Sequence, residues 1–434
     1  MKSELPKVLH EVGGRAMLDW AIAAAQCIGA TRIVVVTSPQ NKAVTEHVAK
    51  GLGANAIAIQ DPPLGTAHAV RAGEAAFAGF DGDLVVMYGD TPFVSPERLE
   101  QMFALRAANG GIVALAFEAA DPTGYGRMIL AADGSLERIV EQKDANDFER
   151  AVKLCNSGVI CADAKMLFGL LAQVKNENAK QEYYLTDIVA LGRAAGQKTH
   201  IVKGDEADAL GVNSRADLAA AETVFQERAR SAAMEAGVTL IDPASVYFSY
   251  DTEIAADAII EPNVFFGRKV KIGKGAHVHA FCHLEGAEIG EGAAIGPFAR
   301  FRPGSKLGRK VKIGNFVEVK NATLGDGAKA SHLSYIGDID VGPRTNIGAG
   351  TIVCNYDGFN KYRSTIGADA FIGSNTALVS PVTVGDRAYT GTGSVITKDV
   401  PAGSLGVARA RQINLDGWAD KNREKKQRAK EQKS

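Results

Sequence analysis

Along the C-terminal half of the chain, side chains able to move protons and hold anions gather in a few short stretches. Arg300 and Arg302 lie in "RFRPGS", Lys320 in "VEVKNA", and His332 and Tyr335 in "ASHLSYIGD". Further on, "CNYDGFNKYRST" adds Asn355, Tyr356, Asn360, Lys361, Tyr362 and Arg363. Cations from separate segments suit a phosphate, and an imidazole set among small residues beside them suits a general base. A second constellation, "HVHAFCH", holds His277, His279 and His283. On a strand, His277 and His279 share a face, which permits metal ligation such as zinc. That stretch shows no ligands spaced over successive segments, so a structural role is the expectation for it. In the N-terminal half the clearest chemical signature is "YGDTP", which sets the Asp90 carboxylate just after an apolar run.

These groups need positioning, and the period of the apolar residues says how. Ile254, Ile260, Phe266, Ile272, Val278 and Leu284 are six residues apart. After a five-residue step the series resumes as Ile289, Ile295, Phe301, Leu307, Ile313 and Val319, then Leu324, Ala330 and Ile336, then Val341, Ile347 and Val353. Past the excursion "CNYDGFNKYRST" it returns as Ile366, Ile372, Leu378, Val384, Thr390 and Ile396. Glycine follows the aliphatic at Gly273, Gly290, Gly296, Gly314, Gly348 and Gly373. A six-residue period predicts a left-handed parallel β-helix of hexapeptide repeats, three hexads to a coil, with the aliphatics stacked inside. A loop ejected from such a solenoid is tolerated and often carries the site. Prisms of this kind commonly trimerise, with sites between subunits.

The first half has a different grammar. Apolar runs "RIVVVTS" and "DLVVMYGD" read as buried parallel strands, and "PLGTAHAVRAGEAAF" and "SPERLEQMFALRAANG" as helices, the latter with Ser95 as N-cap and Pro96 at its first position. Alternation of this kind predicts an α/β, Rossmann-like domain over 1–213, with ligands outside the carboxyl ends of the strands, where "YGDTP" falls. A connecting helix is expected over 214–237, with Gly237 as its stop, and the β-helix domain over 238–434. With 49 basic and 50 acidic residues in 434, the bulk charge points to neither nucleic acid nor membrane. Five scattered cysteines without a CxxC pair fit a reducing compartment. No signal peptide is evident and no apolar stretch is long enough to span a bilayer, so a cytoplasmic protein is expected.

Taken together, "LPKVLH", "LGTAHA", "YGDTP", "GYGR", "IVEQKDA", "NSGV", "YYLTD", "GVNSR", "RPGS", "HLSYIGD", "NIGAGTIVCNYDG" and "VSPVTVG" form a jointly specific set. From Met1 to about Arg411 the chain resembles the bacterial bifunctional N-acetylglucosamine-1-phosphate uridylyltransferase/glucosamine-1-phosphate N-acetyltransferases. The resemblance implies acetyl transfer from acetyl-CoA to glucosamine 1-phosphate, then uridylyl transfer from UTP with release of pyrophosphate. The product, UDP-N-acetylglucosamine, feeds peptidoglycan and lipopolysaccharide synthesis.

Roles for single residues follow from the same resemblance. Asp90 and Asn213 match Mg²⁺ ligands, and Lys7 would neutralise phosphate charge. Gln60, Gly65 and Thr66 would read the uracil edge. Tyr88 and Gly89 flank the metal carboxylate, and Gly126, Glu141 and Asn156 would hold the sugar. In the second half His332 would be the catalytic base, with Arg302 and Lys320 on the sugar phosphate and Tyr335 and Asn346 on the sugar. Asn355 and Tyr356 would serve acetyl transfer, while Ala349, Ser374, Thr392 and Arg409 match CoA-contacting positions. Lys361, in the excursion, would suit a further phosphate contact. A homotrimer is implied, with no nucleic acid and no membrane insertion.

The family's first motif, L-x-x-G-x-G-T-R-M, is expected before "KSELPKVLH", where Met1 alone matches it. A start assigned at the motif's own Met is preferred to a truncated gene, and the uridylyltransferase step is the one this places in doubt. Two other readings remain open: acetyl transfer alone, or a sugar-nucleotide pyrophosphorylase with a non-catalytic β-helix. The basic tail "WADKNREKKQRAKEQKS" reads as a solvated helix rather than a nucleic-acid arm.

Overall fold

The structure, a computed structural model, describes residues 1–431; the last three residues of the basic tail lie outside the described residues. The chain divides into two compact units, Met1–Ala229 and the remainder from Arg230.

The first unit is built on a mixed sheet. Its centre is Ile112–Glu118, fully buried from Ile112 to Phe117. Thr199–Gly204 pairs with it in parallel on one side, and Leu154–Asp163 pairs antiparallel on the other. Leu154–Asp163 also receives Asp83–Val86, again antiparallel. This corrects the expectation of a parallel "DLVVMYGD" strand: an unbroken apolar run shows that both faces are covered and carries no direction. Val35–Thr37 does run parallel to its partner, Ile57–Ile59. Pro96–Asn109 is a helix, with the Ser95 hydroxyl accepting from the Arg98 amide at 3.4 Å and Pro96 in its first turn. Its apolar side, Leu99 and Met102, packs on Val113, Leu115 and Val159. Asp90 lies just past the carboxyl end of Asp83–Val86. The helix Arg215–Glu235 is followed by Gly237 at φ +89°, a conformation that glycine adopts without strain.

In the second unit the hexads form the predicted coils. Ile260 pairs with Val278, Val278 with Ile295, Ile295 with Ile313, Ile313 with Ala330 and Ala330 with Ile347, all in parallel. Of the hexad series only Ile254, on the first coil, escapes full burial. The five-residue steps make some coils 17 residues long and others 18. Ile347 then pairs with Ile372, because this coil contains the excursion and spans 25 residues.

The aliphatic-glycine signature has a mechanical cause. The amide of Gly308 donates to Leu324 O at 2.8 Å, that of Gly325 to Val341 O at 2.8 Å, and that of Gly342 to Ile366 O at 2.7 Å. These glycines lie in a column where each backbone presses on the next coil. A Cβ on Gly290 would stand 2.4 Å from Gly308 O. Corners take left-handed residues other than glycine, including Asn263, Phe281, Phe298, Phe316 and Leu333.

Gly290→Ala is therefore expected to destabilise the β-helix by roughly 2 kcal/mol, seen as a drop of several degrees in its thermal midpoint. Gly169→Ala, mid-helix with nothing within 4 Å of the added carbon, is expected to be neutral or mildly stabilising. Equal midpoints for the two variants would contradict the crowding explanation.

Candidate functional site

Two sites emerge, one in each unit. In the first, the Lys7 ammonium lies between Asp90 Oδ2, at 2.5 Å, and Asn213 Oδ1, at 2.8 Å. Two hard oxygen donors from distant parts of the chain thus converge on one cation, and lysine nitrogen marks the position. Such a donor pair fits a Mg²⁺-like ion, which takes one or two protein oxygens and completes its shell with water and phosphate.

Elsewhere in this unit Gly126, Glu141 and Asn156 come together. A Cβ on Gly126 would stand 3.6 Å from Glu141 Oε1 and 3.7 Å from Asn156 Cβ, and the Asn156 amide donates to Gly126 O at 2.9 Å. Burial raises the Glu141 carboxyl above the usual range, although Lys180 opposes the shift. Tyr88 leans over Gly158, where a Cβ would stand 2.2 Å from its ring. Burial, then the Glu141 charge, push its phenol up to about 12. Gln60 donates through Nε2 to Gly65 O at 3.0 Å. Gly65 sits at φ +114° and presses on Tyr183, so the loop before Thr66 is shaped by glycine. The Thr66 hydroxyl accepts from the Leu185 amide at 2.9 Å. Gly89 packs against Leu18 and Val8.

In the second unit, stacking of coils assembles the site. Arg302 is paired with Lys320, and Lys320 with Gly337, so the two cations rise on neighbouring coils. Asn315 is paired with His332, and its Oδ1 stands 2.7 Å from His332 Nδ1. A carbonyl oxygen only accepts, so Nδ1 carries the proton and Nε2 of the neutral ring is left as acceptor. Backbone contacts continue the row upward. The Gly350 amide donates to His332 O, that of Asn375 to Ala349 O, and that of Gly393 to Ser374 O. Ala349, Ser374 and Thr392 therefore form one ladder that starts beside His332, with Arg409 exposed next to Ala408, whose amide donates to Ser394 Oγ. Asn346 lies on the same sheet, paired with Lys329 of the His332 strand.

The excursion is a hairpin rather than an open loop. Tyr356 bridges Lys361, and Asp357 caps the turn through the amides of Phe359 and Asn360. Tyr362 is bonded to Asp357, and Arg363 forks onto Asp340 at 2.5 and 2.7 Å. Of the donors counted in the sequence, Tyr362 and Arg363 fasten the hairpin, together with Tyr356, whose hydroxyl donates to Gly358 O at 2.5 Å. Asn355 is buried at its base and donates to Asp338 Oδ2, with Tyr335 Oη 3.4 Å away. Asp338 also accepts from Asn321 Nδ2 at 2.6 Å and faces Lys320 Nζ at 3.8 Å. Burial alone would raise its carboxyl. The Asn321 and Asn355 amides, with the ammonium groups of Lys320 and Lys361, outweigh burial and hold it below the usual carboxylate range. Gly337 leaves room for the Tyr335 hydroxyl, which would stand 2.4 Å from a Cβ there.

Comparison with known proteins agrees with this division. The model of the MobA-like NTP transferase domain matches residues 1–154, and that of the bacterial transferase hexapeptide (six repeats) matches 286–321 and 363–398. The "Bifunctional protein GlmU" of Hyphomonas neptunium is 54% identical, over 98% of this chain and 92% of its own length. That of Caulobacter vibrioides is 52% identical, over 100% and 94%. The chain belongs to the bifunctional GlmU family. A solved UDP-glucose pyrophosphorylase complexed with UDP-glucose aligns at 17% identity and a TM-score of 0.42, over 52% of this chain and 91% of its own, too slight a likeness to carry an argument.

As a GlmU family member the chain is an enzyme with a nucleotidyltransferase domain and a hexapeptide acyltransferase domain. Two further residues matter that the chemistry of single positions does not reveal: Asn315, outside the quoted motifs, and Asp338. Asp338 stands inside "HLSYIGD", and only coil stacking brings it to Asn355 and Lys320. Asp338→Ala is expected to lower acetyl transfer by about 10²-fold, since it frees Asn355 and leaves Lys320 uncompensated. Uridylyl transfer by the same variant should be unchanged, and near-normal acetyl transfer would contradict the role given to Asp338. Because the Asp338 carboxyl titrates below its usual range, its contribution is complete above about pH 4 and is lost as pH falls below that.

Proposed function

We infer that the chain makes UDP-N-acetylglucosamine in two steps, acetylating glucosamine 1-phosphate in the second unit and uridylylating the product in the first. The observation that carries this reading is the His332–Asn315 bond, which joins the same two coils as the Asp338–Asn321 bond. His332 Nε2 takes a proton from the C2 amine of glucosamine 1-phosphate as nitrogen attacks the thioester carbonyl. The carbon–sulfur bond breaks, the acetamide forms, and coenzyme A leaves as its thiol with the proton. Arg302 and Lys320, with Lys361, bind the sugar phosphate, while Tyr335 and Asn346 orient the ring. Asn355 and Tyr356 line the transfer site, and the Ala349, Ser374, Thr392 and Arg409 row takes the coenzyme.

In the first unit a phosphate oxygen of N-acetylglucosamine 1-phosphate attacks the α-phosphorus of UTP, and pyrophosphate departs. Asp90 and Asn213 would hold Mg²⁺, which would offset phosphate charge. Lys7 neutralises the same charge, Gln60, Gly65 and Thr66 select uracil, and Tyr88 and Gly89 wall the site. Gly126, Glu141 and Asn156 hold the sugar and its acetamido group. We assign domain limits of 1–213, 214–237 and 238–434.

We further assign a homotrimer. Support comes from the β-helix corners, where Phe281, Phe298 and Phe316 stack with centroids 4.9 and 5.3 Å apart and stay about half exposed. Ile413 and Leu415, ahead of the last helix, and Trp418, its first residue, are also exposed. Water-facing apolar groups in such numbers suit burial against other copies. Among the described residues no helix is long and apolar enough to cross a membrane; we assign the chain to the cytoplasm because UTP and acetyl-CoA, the proposed co-substrates, would be drawn from there.

Two separate assays test the assignment. His332→Ala is expected to cut acetyl transfer by roughly 10²–10⁴-fold with little change in substrate binding, and to leave uridylyl transfer intact. Asp90→Asn should do the reverse. Either variant losing both activities in a folded protein, or neither, would contradict the division of labour.

A further inference from the structure

The "HVHAFCH" stretch is not absorbed by either reaction. His283 leaves the group, stacking on Phe265 with centroids 4.8 Å apart. His277 and His279 stay together, their rings 4.0 Å apart on the outward side of one strand. The preceding coil adds a third donor. Ile259 and Ile260 pair with His277 and Val278, so Glu261 falls opposite His279. Its Oε1 stands 2.9 Å from His277 Nε2 and 2.8 Å from His279 Nδ1. Its other oxygen, Oε2, accepts the Ala280 amide at 3.0 Å, which fixes the carboxylate from behind.

Elsewhere on the prism, neighbouring coils are tied by an acid and a long cation: Glu253 with Lys271, Glu288 with Lys306, Asp326 with Arg309, Asp369 with Arg344. Here two imidazoles point at one carboxylate oxygen, and all three donor atoms lie within 4.8 Å of one another. Ala294, in register with His277 on the next coil, adds little bulk beside the pair.

We propose that Glu261, His277 and His279 form a binding site for a divalent transition metal of the zinc class, separate from the Asp90 and Asn213 pair. Two imidazole nitrogens and a carboxylate oxygen are a donor set that zinc accepts, with one position left for water. Metal–ligand bonds of about 2.0–2.1 Å in a tetrahedron set ligand atoms about 3.3 Å apart. The observed 2.8–2.9 Å spacings need only a small opening. On binding, the two coordinating nitrogens give up their protons to solvent or to the other ring nitrogen, and the ion replaces them as the link between coils. The carboxylate's bond to Ala280 survives the exchange and orients the ligand, as supporting bonds do in metal sites.

The test is a Co²⁺ titration of the full chain at neutral pH with millimolar Mg²⁺ present, read by visible absorption. One equivalent with ligand-field bands is expected, displaced by Zn²⁺. His277→Ala and His279→Ala should each weaken uptake at least tenfold, and Glu261→Gln should weaken it less, while acetyl transfer shows that the variants are folded. Unchanged uptake in the histidine variants, or no uptake by the wild type up to millimolar Co²⁺, would overturn the proposal. Should the variants fail to fold, zinc X-ray absorption on the unaltered protein decides. A nitrogen and oxygen shell with two imidazoles is expected, and a sulfur-dominated shell, as from the exposed Cys27, would overturn it.

Discussion

The second unit depends on one constraint: each coil must hand its backbone hydrogen bonds to the next in unbroken register. That register buries the hexad aliphatics, crowds the glycine column and stacks the polar groups that lie between. Because the coils repeat about every 4.8 Å along the prism, side chains distant in sequence meet as neighbours. Arg302 meets Lys320, Asn315 meets His332, and Glu261 meets both His277 and His279. The 25-residue coil keeps the rule, since Ile347 still finds Ile372 and Ser364 still finds Ile339. Its extra residues leave the prism as a hairpin, and lengthening a loop costs little, about 0.6 kcal/mol per doubling.

Asp338 converts that stacking into a site. A carboxylate buried this deeply is costly unless it is bonded and paired, and here Asn321, Asn355 and Lys320 do both. In return it holds the base of the hairpin and one of the cations at fixed positions. The first unit uses the same device in reverse: Asp90 and Asn213 are oxygens gathered around a cation, with Lys7 between them. Both sites join segments far apart in the chain, and each is centred on a carboxylate whose partners fix it.

Much of this was legible in the sequence because periodicity is local. The six-residue spacing marked the interior of the prism, including its five-residue steps and the excursion. Ser95 and Pro96 announced their helix for a similarly local reason. Strand direction was not legible: Asp83–Val86 reads the same whichever way its neighbour runs, and Leu154–Asp163 turned it antiparallel. Nor were the partners of single side chains. Glu261 lies sixteen residues before His277, and nothing in its surroundings sets it apart from other surface acids. Asn315 and Asp338 become notable only once the 17-residue coil length is known. The corner residues Phe281, Phe298 and Phe316 defied the usual preference for glycine at positive φ, because the coil imposes that conformation on whatever occupies the corner.

The central claim is that coil register holds the prism together while the ejected hairpin serves chemistry alone. Removing residues 356–362 and joining Asn355 to Arg363 would return the 25-residue step to 18 residues, a length used elsewhere in the prism. The most direct test is thiol release from acetyl-CoA by this shortened protein, with glucosamine 1-phosphate as acceptor. The account predicts a protein whose β-helix melts near its original temperature and whose thiol release has fallen to background. Turnover within a few-fold of the intact enzyme would contradict it.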